Sequence, residues 1–457
     1  MMMRKMTAGL ATPPGRISIL SYAVLILGGA GLLMLPASLN SGSLSFIDAL
    51  FTSASAVCVT GLTVVDTAGT FSELGRWVLL GLIQTGGIGI MVLSTVFILS
   101  LGRRVSMTGR TLIRDTYSVS DGSGTLSLVW NVLKFTGVIE GIGAVILFFR
   151  FYPSQSFRDA AQSAVFHAVS AFCNAGFSLF PDSFTRFGDD WIINLDICIL
   201  IVLGGIGFVV LTEIREKFSF KRRGWSFFSL HTKLVLSTTA LLLIVSTGIV
   251  LALEWGNTLK GMTISHRFIA ALFQAVNART AGFNTVDIGS MTNETLLVII
   301  ILMFIGAAPG SCGGGVKVTT FSTLMLLGGQ RFFGKPHPQI FHRRISDESV
   351  GRAVSLILIS LLVVLAGVVL IQQFEIGEVS HRFSRGMFLE LMFEMVSAFG
   401  TVGLSTGVTP GLSLAGKALI ICMMFIGRLG PLAVAVAVSR QAQPRHFTYA
   451  NESIMIG

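Results

Sequence analysis

One short pattern recurs four times along this chain. Phe51-Thr-Ser-Ala-Ser-Ala-Val-Cys-Val-Thr-Gly61-Leu-Thr is the first copy, and Phe166-His-Ala-Val-Ser-Ala-Phe-Cys-Asn-Ala-Gly176-Phe-Ser the second. Phe273-Gln-Ala-Val-Asn-Ala-Arg-Thr-Ala-Gly282-Phe-Asn and Phe393-Glu-Met-Val-Ser-Ala-Phe-Gly-Thr-Val-Gly403-Leu-Ser follow, the third one residue shorter before its glycine. All read Phe-x-x-x-(Ser/Asn)-Ala and then Gly-(Leu/Phe)-(Ser/Thr/Asn), with the glycines spaced 106 to 121 residues apart. A second marker follows each glycine by roughly 25 residues: Gly86-Gly-Ile-Gly89, Gly204-Gly-Ile-Gly207, Gly306-Ala-Ala-Pro-Gly310 and Gly427-Arg-Leu-Gly430. A single glycine in an apolar helix packs or turns. Two markers in register four times define four copies of one structural unit.

The segments between the markers say what the unit is. Apolar runs lie near 17–35, 77–100, 129–150, 192–212, 232–254, 295–326, 353–374 and 415–438, and each approaches the ~20 residues a membrane-crossing helix needs. The four patterned stretches, near 46–57, 160–172, 267–278 and 386–398, are too short to cross and read as re-entrant helices. The chain is 52% hydrophobic and only 12% charged, against about 25% charged in soluble domains. The expected fold is therefore an all-α integral membrane protein of eight transmembrane spans. One domain, 1–457, contains repeats at 17–100, 129–212, 232–326 and 353–438, each helix, pore helix, filter loop, helix, around one pore.

Arg103, Arg104, Arg110 and Arg114, then Arg215, Lys217, Lys221, Arg222 and Arg223, then Arg331, Lys335, Arg343 and Arg344 fall in alternate connections. Asp66, Glu73, Asp159, Asp182, Asp189, Asp190, Asp287, Glu375 and Glu378 fall in the others. By the positive-inside rule the basic side is cytoplasmic, with both termini. The net charge of +10 is thereby spent on topology, and basic residues spread among apolar spans argue against nucleic-acid binding. The five cysteines form no CxxC pair and read as small buried residues, and no cleavable signal peptide is read at residues 17–35.

Irregular backbone at membrane depth is tolerated only where it is buried or lines a water-filled cavity. Four equivalent loops suit a cavity on a pseudo-fourfold axis, and glycine tolerates the positive φ that turns carbonyls toward it. Carbonyl rings replace an ion's hydration shell, which assigns Val59, Thr60, Gly61, Asn174, Ala175, Gly176, Thr280, Ala281, Gly282, Thr401, Val402 and Gly403 to a K+ filter. Pro309 and the glycines at 306, 310, 313, 314 and 315 cannot continue a helix, so the sixth span breaks there into a loop. Gly306, Pro309, Gly310, Gly313, Gly314, Gly315, Lys317 and Arg428 are the expected gate, the alternative for the loop being a packed kink. Arg428, deep in the eighth span, is expected to bond the broken span or loop carbonyls. Lys317 reads equally as a gate residue or as a lysine snorkelling to the cytoplasm. Arg279 is expected to point off the axis toward an acid, with Asp196 as a guess. His167 reads as a packed helix residue, and Glu140 as the main intramembrane acid, a helix contact or a proton site. No paired carboxylate, triad or metal spacing points to an enzyme.

These motifs resemble the Trk/Ktr/HKT superfamily of potassium transporters over nearly the whole chain, most specifically at Arg279-Thr-Ala-Gly-Phe283 and Gly313-Gly-Gly-Val-Lys-Val-Thr319. The early start of the first repeat is similar to the KtrB-type membrane subunit. The resemblance implies potassium uptake across the bacterial inner membrane, sometimes Na+ dependent, channel-like or symport. It implies the filter glycines 61, 176, 282 and 403, an intramembrane gate at 306–315 and a pore arginine at Arg428. Glycine rather than serine in the first loop favours K+ over Na+ in that family. It also implies a homodimer seated in lipid on a cytoplasmic RCK-type ring that binds ATP or ADP, since no regulatory domain is read here. A sodium-selective or non-selective transporter of the same fold is the alternative.

Overall fold

The structure, a computed structural model, describes residues 14–89, 125–219, 224–335, 337–380 and 382–430. Arg103, Arg104, Arg110, Arg114, Lys221, Arg222 and Arg223 lie outside the described residues, as do the distal parts of the second and eighth apolar segments.

The patterned stretches fall one in each of four successive runs of helices. The first comprises α1 (Pro14–Leu33), α2 (Phe46–Cys58) and α3 (Glu73–Ile88). The second comprises α4 (Thr125–Phe151), α5 (Phe157–Phe172), α6 (Trp191–Gly205) and α7 (Phe208–Ser219). The third has α8 (Leu230–Glu254), α9 (Ile264–Asn277), α10 (Asn293–Phe304) and α11 (Val318–Phe332). The fourth has α12 (Asp347–Glu375), α13 (Met387–Gly400) and α14 (Leu414–Leu429). A two-stranded hairpin, Gln339–Ile340 with Arg343–Arg344, precedes α12.

Local chemistry sets where these helices begin. Ser45, Ser156 and Thr263 cap α2, α5 and α9, each accepting a backbone N–H. Ser72, Asp190, Thr292 and Ser413 do the same at the equivalent starts of α3, α6, α10 and α14. Such caps satisfy amides that a helix start leaves unbonded, about 1 kcal/mol each. Trp130–Phe151, Leu230–Glu254 and Asp347–Glu375 are long and apolar enough to cross a membrane. On α12, Leu358, Leu362, Leu365 and Val369 are all exposed, as expected of a surface that lipid covers.

Packing closes the units into a ring. Within units, α1 packs on α2, α4 on α5, α8 on α9, and α12 on α13. Between units, α3 packs on α5, α6 on α9, α10 on α13, and α14 back on α2.

The fourth apolar segment differs from the sequence reading. It is not one helix: α6 and α7 meet at a 97° bend. Gly207, φ 91°, forms the corner, and a Cβ there would press on the Pro309 carbonyl oxygen. The Phe208 amide then bonds the Gly310 carbonyl at 3.0 Å. Gly89 and Gly430 end α3 and α14 in the same way, at φ 94° and 87°. The last glycine of these three markers is thus a helix stop.

Candidate functional site: a ring of four glycine loops

The four patterned helices deliver their loops to one centre. Past each helix the backbone is left-handed two residues before the glycine, at Val59 (58°), Asn174 (60°), Thr280 (99°) and Thr401 (50°). Gly61, Gly176, Gly282 and Gly403 are left-handed again at 94°, 68°, 78° and 89°. Thr60, Ala175, Ala281 and Val402, between them, are not. The sign of φ therefore alternates over the three residues of each loop, unlike that of an extended strand. Four non-glycine residues held at positive φ represent strain of about 1–3 kcal/mol each, maintained by the surrounding packing.

The loops touch in a closed order. A Cβ on Gly61 would collide with the Ala175 carbonyl oxygen, on Gly176 with that of Ala281, on Gly282 with that of Val402, and on Gly403 with that of Thr60. Each glycine is therefore required by its neighbour's backbone as well as by its own φ.

The repeated Ser/Asn explains how each loop is held. Ser55 Oγ accepts from the Gly61 amide at 3.0 Å and Ser397 Oγ from the Gly403 amide at 3.1 Å. Asn277 Oδ1 accepts from the Phe283 amide at 3.0 Å, and Ser170 Oγ donates to the Phe177 carbonyl at 2.8 Å. The first glycine of the second marker lets the next helix approach. A Cβ on Gly86, Gly204 or Gly427 would strike the carbonyl of Val57, Phe172 or Phe399, four residues before the loop glycine.

In the third unit the helix breaks between Phe304 and Val318. The intervening loop is tied on several sides. Gly306 N bonds Val316 O at 2.8 Å, Ala308 N bonds Gly205 O at 2.9 Å, and Cys312 N bonds Gly204 O at 3.1 Å. Gly314 N donates to Thr401 Oγ1 at 2.9 Å, and a Cβ on Gly313 would press on Thr280 Oγ1. Arg428 donates to the carbonyls of Cys312 in this loop and of Gly86 in α3. One guanidinium thus bridges the broken segment to the first unit. Lys317 Nζ donates to Gly313 O at 2.6 Å, so it closes the loop on itself and does not snorkel away.

Above the ring lies an open cavity of about 550 Å³, lined by all four loop glycines and by Asp66, Asp182 and Asp287. Asp182 is pulled below the usual carboxylate range: burial raises it, but hydrogen bonds from Thr185 and the nearby Arg186 guanidinium outweigh that.

Other expectations fare variously. His167 is a packed residue, its Nδ1 2.7 Å from Ser163 O and its Nε2 accepting from the Leu179 amide at 3.2 Å. Glu140 accepts from Gln84 at 3.0 Å, a helix-to-helix contact. The guessed Arg279–Asp196 pair is not made: Arg279 reaches Thr239 at 3.5 Å, and Asp196 Oδ2 has no partner among the described residues. Four cysteines are buried, but Cys422 is exposed. Sequence reasoning missed Glu394, whose carboxylate accepts from Ser405, Thr406 and Thr409 and ties the fourth loop's exit to its helix. The signal was positional: Glu394 and His167 hold the same place in the repeat.

A mostly helical fold with helices long and apolar enough to cross a membrane, and with four converging glycine loops, is that of a membrane protein by class. The family model described as "Cation transport protein" (TrkH) matches residues 15–449, and the chain belongs to that family. It is 40% identical to Ktr system potassium uptake protein B of Bacillus subtilis, covering 94% of each chain. It is 37% identical to the protein of that name from Vibrio alginolyticus, over 97% of this chain and 94% of that one. Potassium/sodium uptake protein NtpJ of Enterococcus hirae is 36% identical, with 97% of each covered. The crystal structure of the potassium transporter TrkH from Vibrio parahaemolyticus matches at TM-score 0.72 and 20% identity, covering 94% of this chain and 85% of that one, a likeness of fold.

Proposed function

We propose that this chain takes up potassium across the cytoplasmic membrane, through a pore that runs down the axis of the four loops. The observation that carries the reading is the closed contact order of Gly61, Gly176, Gly282 and Gly403. Eight spans in four repeats surround that axis. The alternating backbone aims the carbonyls of residues 59–61, 174–176, 280–282 and 401–403 inward. There they replace potassium's hydration shell without an acidic ring. The helices α2, α5, α9 and α13 point their partly negative C-terminal ends at the same place.

The 306–317 loop is the gate. It rests against Thr280 and Thr401 beneath the ring, and Arg428 latches it to α3. Opening requires that latch and the bonds to Gly204 and Gly205 to break together. With the basic connections inside, both termini are cytoplasmic and the 550 Å³ cavity faces outward. A separate regulatory subunit fits the "Ktr system" name of two relatives, and a homodimer on a cytoplasmic nucleotide-binding ring is the form proposed for that partnership. A second reading, transport that depends on or includes Na+, is favoured by the "Potassium/sodium" name of a third.

The test is cation flux in liposomes with K+ or Na+ alone, for wild type and Gly282→Ser. K+-selective flux that the substitution weakens or makes less selective supports the filter. Equal flux of both ions, untouched by the substitution, rejects it.

A further inference from the structure

Arg279 sits beside the third loop but faces away from the ring, into a side cavity between α6 and α8. That cavity has a volume of about 10 Å³ and is lined by Asn174, Ile201, Gly205, Thr239, Leu243 and Ala307 among others. Arg279 is 8% exposed. Among the described residues its buried Nε has no partner, and its single hydrogen bond, from Nη2 to Thr239 Oγ1, is 3.5 Å long. Thr239 accepts that bond, and among the described residues none accepts from its hydroxyl. The Asn174 amide, oriented to satisfy all its bonds, is consumed by the carbonyls of Ala171, Phe172 and Ile201 and the Thr280 hydroxyl. Among the described residues no carboxylate lines the cavity.

The cavity therefore collects a full positive charge and several unused N–H and O–H donors, and it offers no acidic side chain. An uncompensated buried charge is strongly disfavoured. The cavity has room for one small occupant. A water molecule accepts from the donors but leaves the charge; a monatomic anion answers both.

We propose that Arg279 and Thr239 bind one halide ion here, chloride in ordinary salt solution. Arg279 precedes Thr280, so the bound anion would cancel a positive charge beside the ring. The site does not depend on the transport reading, because its test does not measure transport.

The probe is bromide, added to the full-length protein in detergent or lipid, in crystals that diffract at the bromine edge. The expected result is an anomalous peak within reach of both the Arg279 guanidinium and Thr239 Oγ1, lost in Arg279→Gln. In solution, replacing gluconate by bromide at constant ionic strength should raise the melting temperature saturably. Thr239→Val, which keeps the charge and removes the hydroxyl, should move that titration to higher bromide. No anomalous peak at this position in the wild type, or a bromide-dependent shift that survives unchanged in both variants, overturns the proposal.

Discussion

Ser55 and Ser397 each hold a buried loop amide, at 3.0 and 3.1 Å from Gly61 N and Gly403 N. Replacing either by alanine strands that amide, at a cost of about 1–3 kcal/mol. Ser55→Ala and Ser397→Ala should therefore keep the fold but lower the K+ preference in liposome flux. Wild-type selectivity in both variants would show that the serines only pack. Arg428→Gln should act in the opposite direction. It removes two charge-assisted bonds between the 306–317 loop and α3, worth about 1.5–3 kcal/mol each. Flux should rise by roughly tenfold or more if the loop is the barrier; a flux that falls or stays the same would mean that Arg428 is only a brace. At this scale much was legible, because four copies of a pattern reveal which residue types a position demands. Less visible was what each side chain bonds. Nothing in the sequence paired Asn174 with Thr280 at 2.8 Å, or left Arg279 without a carboxylate. The first of these contacts joins residues 106 apart in the chain, and the second joins residues 40 apart.

Helix breaks are where the sequence reading and the structure part. Pro309 and its glycines announced the break in the third unit, since a ring without an N–H cannot continue a helix. Gly204-Gly-Ile-Gly207 sits in an apolar run that periodicity cannot distinguish from a straight span, yet it turns by 97°. The cause is a contact with Pro309 and Gly310, which lie in another unit. Gly207→Ala should cost about 1–3 kcal/mol through its φ of 91° alone, and more through the clash with Pro309 O. A lowered melting temperature checks this; an unchanged one would mean that the corner is loose. Beyond the corner, Glu213 on α7 accepts from Lys217, Ser229 and Thr232 and so fixes the start of α8. Burial raises its pKa, but those hydrogen bonds prevail and hold it down to about 2, below its ordinary 4.5. A carboxylate lowered in the folded state stabilises fully above its unfolded pKa and loses that contribution as pH falls from 4.5 through about 2. Glu213→Gln should thus melt below wild type at pH 7, and the gap should close progressively below pH 4.5. A gap constant with pH would show that only the geometry of the bonds matters.

Charge is arranged over the whole molecule in a way its total conceals. The chain carries a net +10, yet the 550 Å³ cavity above the ring is lined by Asp66, Asp182 and Asp287. These acids were legible as residents of the non-basic side, but their convergence on one cavity was not, since it needs three connections to fold over the same centre. All three are partly engaged: Asp66 caps the turn at Thr67, Asp182 pairs with Arg186 at 3.2 Å, and Asp287 accepts from the Gly289 amide and the Ser290 hydroxyl. What remains is a negative field at the entrance, and a cleft lined by one sign of charge raises the local concentration of counter-ions. Each exposed charge is worth about 1 kcal/mol at close range in water. Asp66→Asn combined with Asp287→Asn should therefore slow initial K+ uptake several-fold at low ionic strength. At 0.1 M salt the Debye length is about 10 Å, so the deficit should largely vanish there. Saturating K+ should hide it too, because the field acts on capture and leaves the ring itself unchanged. A deficit that persists at high salt would assign these acids to the structure of the loops, and no deficit at any salt would mean that ions reach the ring without passing them.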